Sequence, residues 1–137
     1  MANVRIHWTT EPDDDNELLE CRGALYALCD PETDKVLYLG KADRQTVRQR
    51  IACRSKDGVL EYIDVVLDIP EYVVRVGEIS TACRLTAQLL GDIESLLIRE
   101  LAPPANIQCV YERISRPGMQ VSCSGDWLAR HRNFVDA

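Results

Sequence analysis

No window of this 137-residue chain approaches the roughly 18 consecutive apolar residues that a membrane-spanning helix needs. The stretch after Met1 (Ala2-Asn3-Val4-Arg5) also lacks the apolar core of a signal peptide. Histidine is scarce: the only two, His7 and His131, stand near opposite ends. The six cysteines (Cys21, Cys29, Cys53, Cys83, Cys109, Cys123) include no Cys-x-x-Cys pair. That spacing argues against a zinc site and reads as small buried thiols. Nothing signals the oxidising compartment that a disulfide framework would need, so the expected location is the cytoplasm. An excess of positive charge is missing as well: 16 Lys and Arg face 22 Asp and Glu, a net charge of -6 with a pI near 4.9. Nucleic-acid binders usually carry the opposite sign, so the bulk composition disfavours DNA, RNA and anionic membrane.

What is present is ordinary for a globular chain, with 46% hydrophobic and 28% charged residues, which excludes disorder. The length fits one domain that buries roughly two thirds of the surface of its unfolded chain. The charge is unevenly spread. Residues 1–20 hold six acids and one base, net -5, leaving 16 acids and 15 bases, net -1, in residues 21–137. Within the latter, residues 41–56 concentrate six bases (Lys41, Arg44, Arg48, Arg50, Arg54, Lys56) against Asp43. The acidity therefore belongs to a leader, and the body contains a basic segment.

Val4–Thr9 is β-like. Ala24–Cys29, an apolar run between Gly23 and Asp30-Pro31, predicts a strand, the Pro31–Asp34 stretch a turn, and Val36–Gly40 the second arm of a hairpin. Thr46 to about Arg54 predicts a helix with Thr46 as N-cap and Val47 and Ile51 on one face. Leu60–Leu67 is open between helix and strand, and Tyr72–Val76 predicts a strand. Cys83–Leu101 is the strongest helix, with Leu90, Ile93, Leu97 and Leu101 in phase and Pro103-Pro104 as its stop. Gln108–Ile114 and Gln120–Cys123 are further candidate strands. The expectation is an α+β domain with a small mixed or antiparallel sheet of about three core strands flanked by helices. An acidic extension (1–21) precedes the core (22–108), and a C-terminal extension (109–137) packs on it.

Tyr26 and Tyr38 fall mid-strand, where tyrosine is at home structurally as well as chemically. Arg48 and Arg50 differ by roughly 200° around a helix, so at most one of them faces a shared pocket. Glu94 sits among Leu90, Leu97 and Ile98 on its helix face. A carboxylate there either pairs, binds a metal, or reaches solvent from the stripe's edge. Asp92 and Glu100 lie off that face and read as surface residues. Asn106, just past Pro103-Pro104, is either a turn residue or one that fixes a site's geometry.

The segment G-A-L-Y-A-L-C-D-P-E-T-D-K-V-L-Y-L-G-K-A, residues 23–42, resembles the paired signature of GIY-YIG nucleases. Ala24-Leu25-Tyr26 matches the first triplet and Tyr38-Leu39-Gly40 the second, and Lys41-Ala42 is similar to the nuclease domain of the bacterial excision-repair members of that family. Arg50-Ile51 corresponds to the family's arginine on the first helix, with Arg48 the alternative. I-E-S-L-L-I-R-E-L-A-P-P-A-N, residues 93–106, resembles the later stretch that carries a glutamate and an asparagine, giving Glu94 and Asn106. The likeness spans about residues 22–107.

The resemblance implies a divalent-metal-dependent endonuclease that hydrolyses DNA phosphodiesters. One Mg²⁺ or Mn²⁺ ion would be held by Glu94, and Arg50 would bind the scissile phosphate through its planar fork. Tyr26 or Tyr38 would position or deprotonate water, with Lys41 as a neighbouring cation or phosphate contact. Asn106 completes the set. Lys41, Arg44, Arg48, Arg54 and Lys56 would contact nucleic acid, aided by Arg113, Arg116, Arg130 and Arg132, by dimerisation, or by a protein partner. The DNA would be duplex, branched or single-stranded; no membrane is involved. Two departures stand out. The first triplet is Ala-Leu-Tyr, and the histidine that many relatives carry three or four residues after the arginine is replaced by Cys53 or Arg54. The alternative is therefore a catalytically weak or inactive module of the same type that binds nucleic acid or a protein. A further expectation is that the acidic leader lies over the basic face and competes with DNA.

Overall fold

The computed structural model describes residues 3–10, 17–53, 56–106, 119–127 and 132–135. In chain order its elements are β1 (Asn3–Thr10), a 3-10 turn (Glu17–Glu20), β2 (Ala24–Cys29), β3 (Val36–Ala42), α1 (Val47–Ala52), α2 (Asp57–Glu61) running into a π-helical turn (Tyr62–Val66), β4 (Val73–Thr81), α3 (Ala87–Leu101), β5 (Gln120–Gly125) and β6 (Asn133–Val135). The strands form one mixed sheet in the order β3-β2-β4-β1-β5-β6, antiparallel throughout except for the parallel β1–β5 pair.

The α+β class agrees with the sequence, but the sheet has six strands rather than about three. The antiparallel unit β3-β2-β4 comes from the segment that resembles a nuclease, and β1, β5 and β6 widen it. Counting charge over residues 1–20 merged two different things. Val4, Ile6 and Trp8 alternate with exposed Asn3, Arg5 and His7, so residues Asn3–Thr10 make an internal strand. The acids lie beyond it, at positions 11–20. Of these, Glu20 pairs with Arg48 on α1 at 2.9 Å, and Glu11 and Asp13 to Asp15 lie outside the described residues.

β2 is buried along its whole length because both faces of the sheet are covered at this point. On one face Leu25, Ala27 and Leu39 pack with Leu89, Leu90, Ile93, Leu96 and Leu97 of α3, together with Trp8, Trp127 and Phe134. On the other, Tyr26, Leu28, Tyr38 and Val76 pack with Leu19, Val47 and Ile63. Each fully buried aliphatic side chain contributes about 1.5–3 kcal/mol. The hairpin turn is fixed locally: Asp30 accepts from Glu32 N (2.9 Å) and Thr33 Oγ1 (3.0 Å), and Asp34 adopts φ 61°. Buried Arg75 of β4 then ties that turn to the sheet, bonding Asp34 Oδ1 at 2.9 Å and Thr10 Oγ1 at 3.3 Å.

Residues 57–66 are helical, which resolves the ambiguity over 60–67, and β4 continues to Thr81, past the Tyr72–Val76 expected. α3 begins at Ala87, not Cys83, because Thr86 caps it by accepting from Leu89 N at 3.1 Å. Asp92 is buried rather than on the surface, and its Oδ1 accepts from Gln88 Nε2 at 3.0 Å. The candidate strand 108–114 and residues Arg54, Arg113, Arg116 and Arg130 lie outside the described residues. No helix among the described residues is long and apolar enough to cross a membrane.

Candidate functional site

The site gathers around the outer edge of the sheet, where β3 meets α1 and α3. Tyr26 is the cross-strand partner of Gly40. Its phenol lies flat across that glycine: a β-carbon at position 40 would fall 2.5 Å from both Tyr26 Cζ and Oη. A glycine inside a strand often marks such a close approach. Tyr26 is 1% exposed, with its hydroxyl enclosed in the sheet. Tyr38 packs beside it, with ring centroids 6.1 Å apart and planes tilted by 38°.

Burial pushes the Tyr26 phenol well above its ordinary value, and the neighbouring Tyr38 adds to the effect. The Arg50 guanidinium acts in the opposite direction, and the Glu94 carboxylate raises it further. Tyr26, Tyr38, Arg50 and Glu94 therefore lie within electrostatic reach of one hydroxyl. Tyr26 itself is held protonated at neutral pH.

Arg50 is placed by α1, whose start is fixed by a reciprocal cap. Thr46 Oγ1 accepts from Gln49 N (3.1 Å), while Gln49 Oε1 accepts from Thr46 N (2.9 Å). Val47 N, one of the donors a helix start leaves unpaired, bonds Cys21 O at 3.1 Å. Arg48 turns outward to Glu20, whereas Arg50 lines an open concavity of about 320 Å³ with Lys41, Asp43, Arg44 and Gln45. Of the two arginines, only Arg50 faces that concavity. Among the described residues, ion pairs engage Arg48, Arg75 and Arg99. Among the described residues, the side chains of Lys41, Arg44 and Arg50 have no hydrogen bond or ion pair.

Lys41 reaches from β3 to α3, where its ammonium lies 3.2 Å from the position a β-carbon on Gly91 would take. It is Lys56, not Lys41, that stands over Tyr38, with Nζ 5.4 Å from the ring centroid. Half-buried Glu94 is one turn beyond Gly91 on α3. Asn106 uses both ends of its amide on one residue: Oδ1 accepts from Leu39 N at 2.9 Å and Nδ2 donates to Leu39 O at 2.8 Å. With Ala105 N on Leu37 O (2.8 Å), it secures the outer edge of β3.

Reasoning from the sequence placed Gly40 in the second triplet without giving it a role and missed Gly91; these two glycines make room for Tyr26 and Lys41. Their signal was there, since each interrupts a strand or helix interior. Among the described residues no group of three His, Cys, Asp or Glu side chains converges. An ion held at Glu94 would therefore have at most two such side chains among the described residues. That fits a small hard divalent ion, which keeps several waters and takes one or two carboxylates plus phosphate oxygens.

No family model, no curated protein and no solved structure matches this chain.

Proposed function

We propose that this protein is a divalent-metal-dependent endonuclease that hydrolyses DNA phosphodiester bonds at the Tyr26–Arg50–Glu94 site. The observation that carries the reading is that Tyr38, Arg50 and Glu94 all act on the buried Tyr26 phenol, with Arg50 also lining a concavity with Lys41, Arg44 and Asp43. Lys41, Arg44 and Arg50 outnumber Asp43 in that concavity, which favours an anion, and its openness suits a phosphate within a chain.

In this reading Arg50 binds the two non-bridging oxygens of the scissile phosphate through its guanidinium fork. Lys41 adds positive charge from the α3 side. Tyr26, held protonated, orients the attacking water and the phosphate by hydrogen bonding rather than by taking a proton. The proton-accepting role falls to Tyr38, over whose ring the Lys56 ammonium lies. Tyr38, in its phenolate form, takes a proton from the water as the water oxygen bonds to phosphorus and one ester P–O bond breaks; the departing oxygen takes its proton from bulk solvent and leaves as the free hydroxyl. Glu94 would hold a Mg²⁺ or Mn²⁺ ion, which when bound supplies charge neutralisation for the phosphate and the leaving oxygen. Asn106 is a positioning residue, since its amide is committed to Leu39.

The second reading, a module that binds nucleic acid without cutting it, draws on the same burial of Tyr26, which removes one of the two phenols as a base. Incubation with plasmid, single-stranded and branched DNA in Mg²⁺ or Mn²⁺ separates the two. Metal-dependent nicking of any of them supports the nuclease; salt-sensitive binding with no cleavage supports the module.

A further inference from the structure

Gly91 stands fifth in a helix of fifteen residues, Ala87–Leu101, where glycine is the poorest choice after proline. No usual reason for a helical glycine applies. It caps nothing, its φ is not positive, and the helix continues for ten residues beyond it. The one atom within 4 Å of its missing β-carbon, outside the helix's own backbone, is the Lys41 ammonium at 3.2 Å. Lys41 is half-buried, lines the same concavity as Arg50, and has no ion pair among the described residues. Gly91 precedes Glu94 by one turn on the same side of α3.

We propose that Gly91 is a positioning residue: by leaving α3 bare at this turn it seats the Lys41 ammonium against the helix, so that Lys41 and Glu94 act on one phosphate. This rests on the nuclease reading for the purpose of the seat, but not for its existence. A β-carbon at 91 crowds the ammonium at 3.2 Å, so Lys41 must give way from its seat against the helix. The helix itself tolerates or prefers alanine, so the change separates stability from function.

The chain has three lysines, Lys35, Lys41 and Lys56, which makes the seat measurable without any DNA. Acetylation by a limiting amine-reactive ester, read residue by residue by mass spectrometry, gives the rate at Lys41 relative to exposed Lys35. In Gly91→Ala this ratio should rise at least threefold while the melting temperature holds or increases. Single-turnover cleavage of nicked-plasmid substrate should fall at least fivefold. In a Lys41→Gln background, Gly91→Ala should change cleavage by less than twofold, because its effect runs through Lys41. An unchanged Lys41 labelling ratio in Gly91→Ala overturns the seat even if the wild type cleaves DNA. A raised ratio with undiminished cleavage overturns its purpose. A loss of cleavage in Gly91→Ala that persists in the Lys41→Gln background overturns the coupling and assigns Gly91 to packing. If the wild type cuts nothing, the nuclease reading fails and takes the purpose with it, while the labelling ratio still decides the seat.

Discussion

The phenol of Tyr26 occupies the space that a side chain on Gly40 would need, with only 2.5 Å between Oη and the position of that missing β-carbon. The tyrosine of the first triplet and the glycine of the second are thus one device built across two strands. Gly40→Ala should force the ring off its seat, as overpacking a filled site costs about 1–3 kcal/mol. Cleavage should fall more than tenfold while DNA affinity, carried by the cations of the concavity, changes less than about threefold. Denaturant titration and a filter-binding isotherm read the two effects separately.

Tyr26→Phe removes a hydroxyl that is buried beside the Tyr38 ring. Deleting such a group relieves a desolvation penalty of about 1–3 kcal/mol, so the variant should be as stable as the wild type or more so. Its cleavage rate should nonetheless drop at least tenfold. Urea unfolding and single-turnover kinetics on the same preparation check both halves.

Asn106→Ala breaks two hydrogen bonds to Leu39 at once. Each net bond is worth about 0.5–1.5 kcal/mol, and the N–H and C=O left without a partner belong to buried Leu39. Stability should fall by about 1–3 kcal/mol, with cleavage falling through misplacement of β3. Because the role is positional, lowering the temperature should restore part of the activity, and hydrogen exchange at Leu39 N should quicken.

Alkaline pH should weaken the fold. Burial pushes the Cys29 and Cys123 thiols each up to about 11, and in Cys29 the Arg75 guanidinium only partly opposes this. Unfolded thiols titrate near about 8.5, so above that pH the unfolded chain sheds protons that the native chain retains. Stability is then fully present below about pH 8.5 and declines as pH rises through about 11; the raised Tyr26 adds to the loss above about pH 10. Urea midpoints across pH 8 to 11 should slope downward, and Cys29→Ala should flatten that slope even as it lowers the midpoint.

Much of this was legible in the chain. The hairpin, the Thr46 cap, the helix before Pro103-Pro104 and the divergence of Arg48 from Arg50 all follow from local patterns whose physics is local. What was hidden depended on partners distant in sequence. Val4, Ile6 and Trp8 alternate as a strand should, but nothing in the sequence says that β5, more than a hundred residues on, lies parallel to it. Asp92 reads as a surface residue until the chain folds around it, and the meanings of Gly40 and Gly91 appear only with Tyr26 and Lys41 in place. The acidic extension that the sequence sets apart at residues 1–21 also depends on distant partners, because its Asn3–Thr10 segment is β1, in the interior of the sheet.

Cations without partners should set the salt dependence of DNA binding. Replacing Lys41, Arg44 or Arg50 by alanine should each reduce the slope of log affinity against log salt by about one. Arg48→Ala, whose guanidinium is already paired with Glu20, should reduce it by less.

The most direct test of the site is metal-dependent cleavage by three proteins side by side: wild type, Glu94→Ala and Arg50→Ala, on supercoiled, single-stranded and branched DNA in Mg²⁺ and Mn²⁺. The wild type should cut at least one substrate and lose all activity in chelator, and each variant should be slower by at least a hundredfold while remaining folded. Equal cleavage by wild type and Glu94→Ala, or none by the wild type on any substrate, would contradict it.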